Sequence, residues 1–551
     1  MSHQKELTYD YRKIDEECAL LSDRIKNNRN YETDLLIPNV EEKEKLNTKL
    51  ENIREKAKVL SEPDDVYAFL KNHFLDFLDD QQLEIQNIYK RPSRHINIFL
   101  YTFTALARKD SRKDVEKAEI LIKKYSQADA IWKSIEDWLD KVSLNYLWET
   151  ISNCNLFIET MEYETKHLDR YFPELSDKMI EEMTKAINGL SDKMKKWVKQ
   201  TKQVIDEKKQ DIQKPGSEIV VFEESYYRDL LNKVVGVDLD ELLRWHEEEI
   251  QKTRESVFRI ANNLKIPDPA PKRMEDITHI LNKYAGPCDT PEDMLDRGRD
   301  YLRRSKEGCK EHVWLPEDDS CNLMDIPYNL RNSYPWGGYF GGCFKARPLK
   351  GNMFLNNFNH KAVTDGWIKM NTVHEAYPGH HVQFVRTTLD PIPETMKIGS
   401  RSTPITEGTP HRSEKVFEFI FEEDQFYPLF VAYRRHHTAV RIKADLMLRY
   451  FGNPIDDVVK LYMDELGFDV KTSRGQVKAQ ELMEGYFTSY YYGFKKIDEW
   501  EKELGFEEKE YTELLFSAGR ISMNSLNKFL RMDASNRQRI LTGFPSLMQF
   551  D

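Results

Sequence analysis

The stretch His374-Glu375-Ala376-Tyr377-Pro378-Gly379-His380-His381 gathers three of the chain's 14 histidines and a carboxylate into eight residues. Zinc takes neutral imidazole nitrogens and carboxylate oxygens as ligands, and a hydrolytic zinc site keeps one position open for water beside a general base. A histidine followed at once by glutamate supplies one ligand and one base. The commonest zinc motif sets two histidines at i and i+4 on one helical face, but here position i+4 is Pro378. On an unbroken helix His380 would point about 240° away from His374, at ~100° per residue. His381 would face correctly yet lie roughly 10 Å along the axis, at ~1.5 Å per residue. A shared ion therefore excludes a regular helix. Pro378 is a cause for the break, because its ring clashes with the His374 carbonyl and it has no N–H to donate there. Gly379 tolerates the backbone that follows. Pro378-Gly379 reads as a two-residue insertion that returns His380 to the ligand position, with His381 as the second claimant. Read instead as a helix end, the same histidines would bond free carbonyls.

Thr372 through Gln383 closely resembles the His-Glu-x-x-Pro-Gly-His-His-x-Gln string of the bacterial and archaeal family called domain of unknown function 885. That family is grouped with gluzincin-type zinc metallopeptidases, whose third ligand is a glutamate on a later helix. Its downstream Glu-Gly-Trp-Ala-Leu-Tyr string reads here Glu407-Gly408-Thr409-Pro410-His411-Arg412, so the glutamate and glycine match while the tryptophan and tyrosine do not. An Arg-x-x-x-Asp-x-x-x-His stretch appears as Arg441 to Asp445 and ends in Arg449 where histidine is usual. Ser489-Tyr490-Tyr491-Tyr492-Gly493 is similar to the family's Ser-Tyr-x-x-Gly, with a Gly-x-Ile-Ser-like turn at Gly519 to Ser522. The likeness runs from about residue 60 to the C-terminus and is specific from about residue 370.

The resemblance implies a site in which His374, His380 and Glu407 hold Zn2+. His411, from the same segment as Glu407, is a rival ligand that would make a three-histidine site. Glu375, rotated ~100° from His374 on a helix, is a poor ligand but well placed as general base. Tyr490 is the candidate oxyanion donor, with Tyr491 behind it, and three consecutive tyrosines also suit plain packing. Arg441 binds a substrate carboxylate, or Asp445 orients a metal-bound imidazole through its second nitrogen, or the two form an ordinary i,i+4 ion pair. His381, Arg441 and Tyr491 are the candidate substrate-binding residues.

Composition sets the outer bounds. Of 551 residues, 40% are hydrophobic and 12% aromatic, ample for a core, while 32% are charged. The formal charge of −12 argues against nucleic acid or an anionic membrane as main partner. No apolar stretch approaches the ~18 residues needed to span a bilayer, and the N-terminus lacks the apolar run of a secretory signal. A cytoplasmic location is expected by default. Cys18, Cys154, Cys288, Cys309, Cys321 and Cys343 show no paired short spacing and read as reduced thiols. Cys343, in a glycine-rich loop, is the one to watch.

Helix breakers are rare up to Lys214, which predicts long helices. Met183, Ile187, Leu190, Met194, Trp197 and Val204 recur at helical steps, as do Ile131, Ile135, Trp138, Leu139 and Val142. Pro215-Gly216 begins a break, and Leu230 to Leu264 returns to helical periodicity before three prolines. Between Tyr284 and Pro410 the glycines and aromatics suggest loops and a small sheet, with Cys343–Ala346 and Gly351–Asn356 as two short strands beside the zinc helix. An edge strand there could hold an extended substrate by strand addition. From Arg412 onward the chain is again helical.

The fold expected is mainly α: a large helical, metallopeptidase-like fold with a small β-containing, loop-rich region beside the zinc helix. Its regions are a helical 1–214, a helical connection 215–283 and a zinc-binding 284–551, packed as one unit. The function expected is a zinc-dependent hydrolase of peptide or related amide bonds, acting on peptides or small amides. One alternative uses the same metal for a non-proteolytic reaction, since the missing family residues fall where a pocket lining is expected. Another is a non-catalytic helical binding protein, against which the His374-Glu375 pair speaks. A carboxylate-bridged di-iron protein needs two Glu-x-x-His sets, and only Glu164 to His167 is present.

Overall fold

A computed structural model of the protein describes residues 3–26, 34–108, 110, 112–211, 224–331, 334–342, 344 and 347–547. The architecture is mainly α, with one three-stranded sheet. Packing divides it into two compact units, Met1–Val220 and, in the main, Val221–Gly341 with Pro348–Gln549.

The first unit is built from helices whose starts are set by side-chain caps. Asn39 accepts from the Glu42 N–H at the head of Val40–Lys58, and Asp64 accepts from Val66 and Tyr67 at the head of Asp65–Gln86. These two helices pack with His3–Lys26, and Tyr11, fully buried, donates its hydroxyl to the carbonyls of Ser61 and Tyr67. A second layer packs Leu144–Glu164 against Pro92–Arg108 and against the 35-residue Asp177–Asp211. Met183, Ile187, Leu190, Met194 and Trp197 are buried as their spacing predicts, and Trp197 stacks on Trp132 at 4.8 Å between centroids. Val204 lies partly buried against the same core. Ile131, Ile135, Trp138, Leu139 and Val142 are buried too, but the helix that starts them ends at Glu136. The chain then turns, and the Trp138 indole donates to the Pro38 carbonyl at 3.3 Å. The helical stripe thus continues as a buried corner.

The second unit carries the loop-rich region. The expected helix from Leu230 to Leu264 is interrupted: a π-turn at Leu230–Val235 stops at Gly236, whose φ of 89° few other residues adopt, and Asp238 caps a new helix, Leu239–Ala261. The sheet has the order β1 (Ser320–Asp325), β3 (Lys350–Leu355), β2 (Gly337–Phe340), with β1 parallel and β2 antiparallel to β3. β3 coincides with the strand expected at Gly351–Asn356 and is central, paired on both sides. The other expected strand, Cys343–Ala346, lies outside the described residues except for Phe344, which is in a turn. The break expected at Pro215-Gly216 also lies outside them. Beyond the sheet the chain is helical to Leu547, and among the described residues no helix is long and apolar enough to cross a membrane. Cys18, Cys154, Cys288, Cys309 and Cys321 are free thiols, and Cys343 is outside the described residues.

Candidate metal centre

The helix at Asp365–Asn371 runs into a π-turn, Thr372–Ala376, closed by the Tyr377 N–H donating to the Thr372 carbonyl at 2.9 Å. Tyr377-Pro378-Gly379 forms a corner, with a cis Tyr377–Pro378 bond, and a new helix spans His380–Leu389. A Cβ on Gly379 would stand 1.9 Å from the His374 carbonyl oxygen, so only glycine lets the corner close this tightly. His374 and His380 therefore occupy two helical segments, with ring centroids 5.0 Å apart.

The third member comes from the Thr403–Val416 helix. Glu407 Oε2 lies 3.4 Å from His374 Nε2 and 3.6 Å from His380 Nε2, and the three ligand atoms fall within 4.8 Å of one another. Two ligands bound at ~2.05 Å in a tetrahedral arrangement would stand about 3.3 Å apart. Glu407 Oε2 is fully buried and has no hydrogen-bond partner among the described residues, so neither contact is a hydrogen bond. An orphaned buried carboxylate oxygen facing two imidazole nitrogens fits a divalent cation.

Each member is held from behind. His374 Nδ1 donates to Glu414 Oε1 at 2.8 Å, and His380 Nδ1 donates to Gln383 Oε1 at 2.9 Å, which turns both Nε2 atoms toward Glu407. Gln383 in turn donates to the Thr406 carbonyl at 3.1 Å. The other oxygen of Glu407 accepts a short hydrogen bond from the Tyr486 hydroxyl. That contact depends on close helix packing: a Cβ on Gly408 would meet the Gly493 backbone at 2.5 Å, and one on Gly493 would meet the Pro404 carbonyl at 1.9 Å. The glycines of the two sequence strings are the places where the Thr403–Val416 and Ser489–Leu504 helices touch.

The electrostatics are those of a cation site. Burial alone would raise the Glu407 carboxyl, but His380 and His374 outweigh it and hold it well below the usual carboxylate range. Burial opposes ionisation of Glu414 as well, and His411, His374 and Arg434 hold it low. Burial lowers His374 in turn, yet Glu407, Glu414 and Glu375 raise it to about 10. The imidazoles are drawn toward positive charge by surrounding carboxylates, the same field that attracts a metal ion.

Of the other expected residues, Glu375 stands beside the triad: its charge acts on both His374 and His380, it is partly exposed, and among the described residues its carboxylate has no hydrogen-bond partner. Tyr490 stacks on the His374 ring at 6.0 Å and donates weakly to the Tyr486 hydroxyl at 3.5 Å. Burial and the Glu407 charge push its hydroxyl well up, so it stays a donor. Arg441 lies with its guanidinium 5.8 Å from the Tyr490 ring.

Four expectations require correction. His381 is turned away, its Nε2 on Asp319 at 2.8 Å and its Nδ1 on the Tyr339 hydroxyl at 2.9 Å, so it packs the sheet and cannot meet substrate at the triad. Tyr491 leaves its helix on a different face and donates to Glu249 Oε2 at 2.6 Å. His411, the rival ligand, binds Glu414 and Thr438 at 2.8 Å each instead of joining the triad. Asp445 orients no imidazole and makes no ion pair with Arg441; it accepts from Tyr227 and stands 4.0 Å from Arg449. The orienting role belongs to Glu414, which sequence reasoning missed, as it missed Tyr486 and Gln383. Glu407, His411 and Glu414 at i, i+4 and i+7 form one helical face, and that spacing was the available signal.

No curated protein is significantly similar to the chain. Two solved structures share its fold. One, described as "the putative lipoprotein from Colwellia psychrerythraea", aligns with a TM-score of 0.73 at 14% identity over 98% of this chain and 100% of that one. The other, described as "a putative lipoprotein of unknown function from Shewanella oneidensis", aligns with a TM-score of 0.70 at 14% identity over 97% and 100%. These descriptions overturn the expected cytoplasmic location. That expectation rested on the lack of an apolar run at the N-terminus, and an absence fixes no compartment. The model of the family described as "Bacterial protein of unknown function (DUF885)" matches residues 38–530, and the chain belongs to that family.

Proposed function

We propose that the chain is a metal-dependent hydrolase of peptide or related amide bonds, with zinc as the ion. The observation that carries this reading is the convergence of His374 Nε2, His380 Nε2 and the orphaned Glu407 Oε2 beside the unengaged carboxylate of Glu375. A divalent ion held there supplies Lewis-acid activation of water and of a carbonyl oxygen. Glu375 takes a proton from the attacking water as its oxygen bonds to the amide carbon. It then delivers that proton to the departing nitrogen as the C–N bond breaks, leaving a carboxylic acid and an amine. Tyr490, kept protonated, faces the charge that develops on the carbonyl oxygen. Glu414 and Gln383 hold the imidazoles in place throughout.

The non-proteolytic alternative drew on divergence at Thr409, Arg412 and Arg449, where the family strings carry tryptophan, tyrosine and histidine. Those residues are at most 4% exposed; Arg412 is committed to Glu501 and Thr512, and Arg449 to the carbonyls of Gln480 and Glu481, which favours a supporting role over a pocket lining. The test is metal content of purified protein together with cleavage of a mixed peptide library by wild type and Glu375→Gln. Stoichiometric zinc in both proteins, with cleavage about 10²- to 10⁴-fold weaker in the variant, is the expected result. Zinc without cleavage of any peptide by the wild type overturns it.

A further inference from the structure

The Tyr427–Arg449 helix carries Arg434 and Arg441 seven residues apart, two turns along one face. Both are buried, at 5% and 6% exposure. The Arg434 side chain makes no hydrogen bond among the described residues, and its Nε and Nη1 are fully buried. The carboxylate nearest to it, Glu414 at 3.9 Å, is already engaged by His374 and His411. Among the described residues Arg441 donates one bond, to Gln476 Oε1 at 3.1 Å, and its Nε is buried without a partner. No carboxylate of the described residues pairs with it. The guanidinium carbons lie 5.4 Å and 5.8 Å from the ring of Tyr490, which itself stacks on His374. Arg434 thus shares its one nearby carboxylate with two imidazoles and Arg441 has none, and buried cations so poorly compensated are costly unless something negative completes them. The neighbouring His437 supplies nothing negative, since burial and the two arginines keep it neutral.

We propose that Arg434 and Arg441 receive the free C-terminal carboxylate of a peptide, so that the enzyme works from that end and releases one or two residues. Guanidinium groups match carboxylates through paired N–H donors. The path from the His374 ring to that of Tyr490, 6.0 Å, and on to the Arg434 guanidinium, 5.4 Å, is at most 11.4 Å; a guanidinium–carboxylate contact takes about 4 Å of it, and one or two residues at ~3.6 Å each cover the remainder. The mode of cleavage rests on the hydrolase reading above; the carboxylate receptor does not.

The experiment separates the two. Blocked tripeptides, as free acids and as the same sequences amidated at the C-terminus, are titrated calorimetrically into zinc-loaded and metal-stripped Glu375→Gln protein. Acids are expected to bind about 10- to 100-fold tighter than amides in both forms. Arg441→Gln and Arg434→Gln bring the ratio toward one, and Arg441→Lys restores part of it. Equal binding of acid and amide overturns the receptor, as does a preference that vanishes with the metal or survives both glutamine variants. The metal-stripped comparison decides the matter even where a variant fails to fold. Mass spectrometry of wild-type digests is expected to show free-acid peptides shortened by one or two C-terminal residues. Acid preference without cleavage leaves the receptor standing and removes the hydrolase; equal binding and cleavage of acids and amides does the reverse.

Discussion

Thr406 and Pro410 stand one helical turn apart in the Thr403–Val416 helix, and because Pro410 has no N–H, the Thr406 carbonyl loses its i+4 donor. Gln383 donates there at 3.1 Å, and its amide oxygen accepts from His380. A residue that departs from the family string thus frees the acceptor that fixes a candidate ligand. Pro410→Ala restores the N–H. Thermal stability is expected to rise, by up to the ~3 kcal/mol that a helix-interior proline costs, while zinc affinity falls up to about tenfold. Calorimetric melting and competition with a chromophoric chelator measure the two opposite signs.

Glu414 connects His374 to His411. Glu414→Gln keeps the shape but removes the charge that fixes Nδ1 as donor, and zinc affinity is expected to drop about 10- to 100-fold. Chelator competition with the folded variant shows it, and unchanged affinity would remove Glu414 from the metal's support.

His380 and His381 are adjacent, yet their substitutions are expected to separate cleanly. His380→Ala loses zinc with a small change in melting temperature of the metal-free protein. His381→Ala keeps zinc but leaves Asp319 short of a buried partner, a loss of about 1–3 kcal/mol. Metal analysis beside denaturant unfolding tells the two apart.

Asp445 is buried, and burial raises its carboxyl to about 6 despite Arg449 and the Tyr227 hydroxyl. The folded value exceeds the unfolded ~3.9, so the stability it contributes is complete below pH ~4 and is lost as pH rises through about 6. Wild type is expected to lose stability relative to Asp445→Asn across this window, at up to ~1.4 kcal/mol per pH unit. Parallel unfolding curves of both proteins at several pH values check it, and coincident pH profiles would contradict the assignment.

The helical stripes of the first unit and the proline corner were legible because their determinants are local: a period, or a ring that cannot donate. Glu414 was not, since Arg412-Ser413-Glu414-Lys415 reads as a solvated surface and only the fold makes it 0% exposed. Tyr491 misled because it follows Tyr490, and neighbours on a helix diverge by ~100°. β1, Ser-Cys-Asn-Leu-Met-Asp, lacks the alternation that marks a strand and depends on pairing with β3. Arg434 had no motif to announce it.

The corner at Tyr377–Gly379 divides the two imidazoles between separate helical pieces, so helical pitch does not set the span between them. That span follows the seating of the His380–Leu389 helix, whose Val382 and Val385 are wholly buried. Choice among ions of different radius thereby becomes a matter of apolar volume behind the site, and resizing either valine offers a way to retune it while every ligand stays in place.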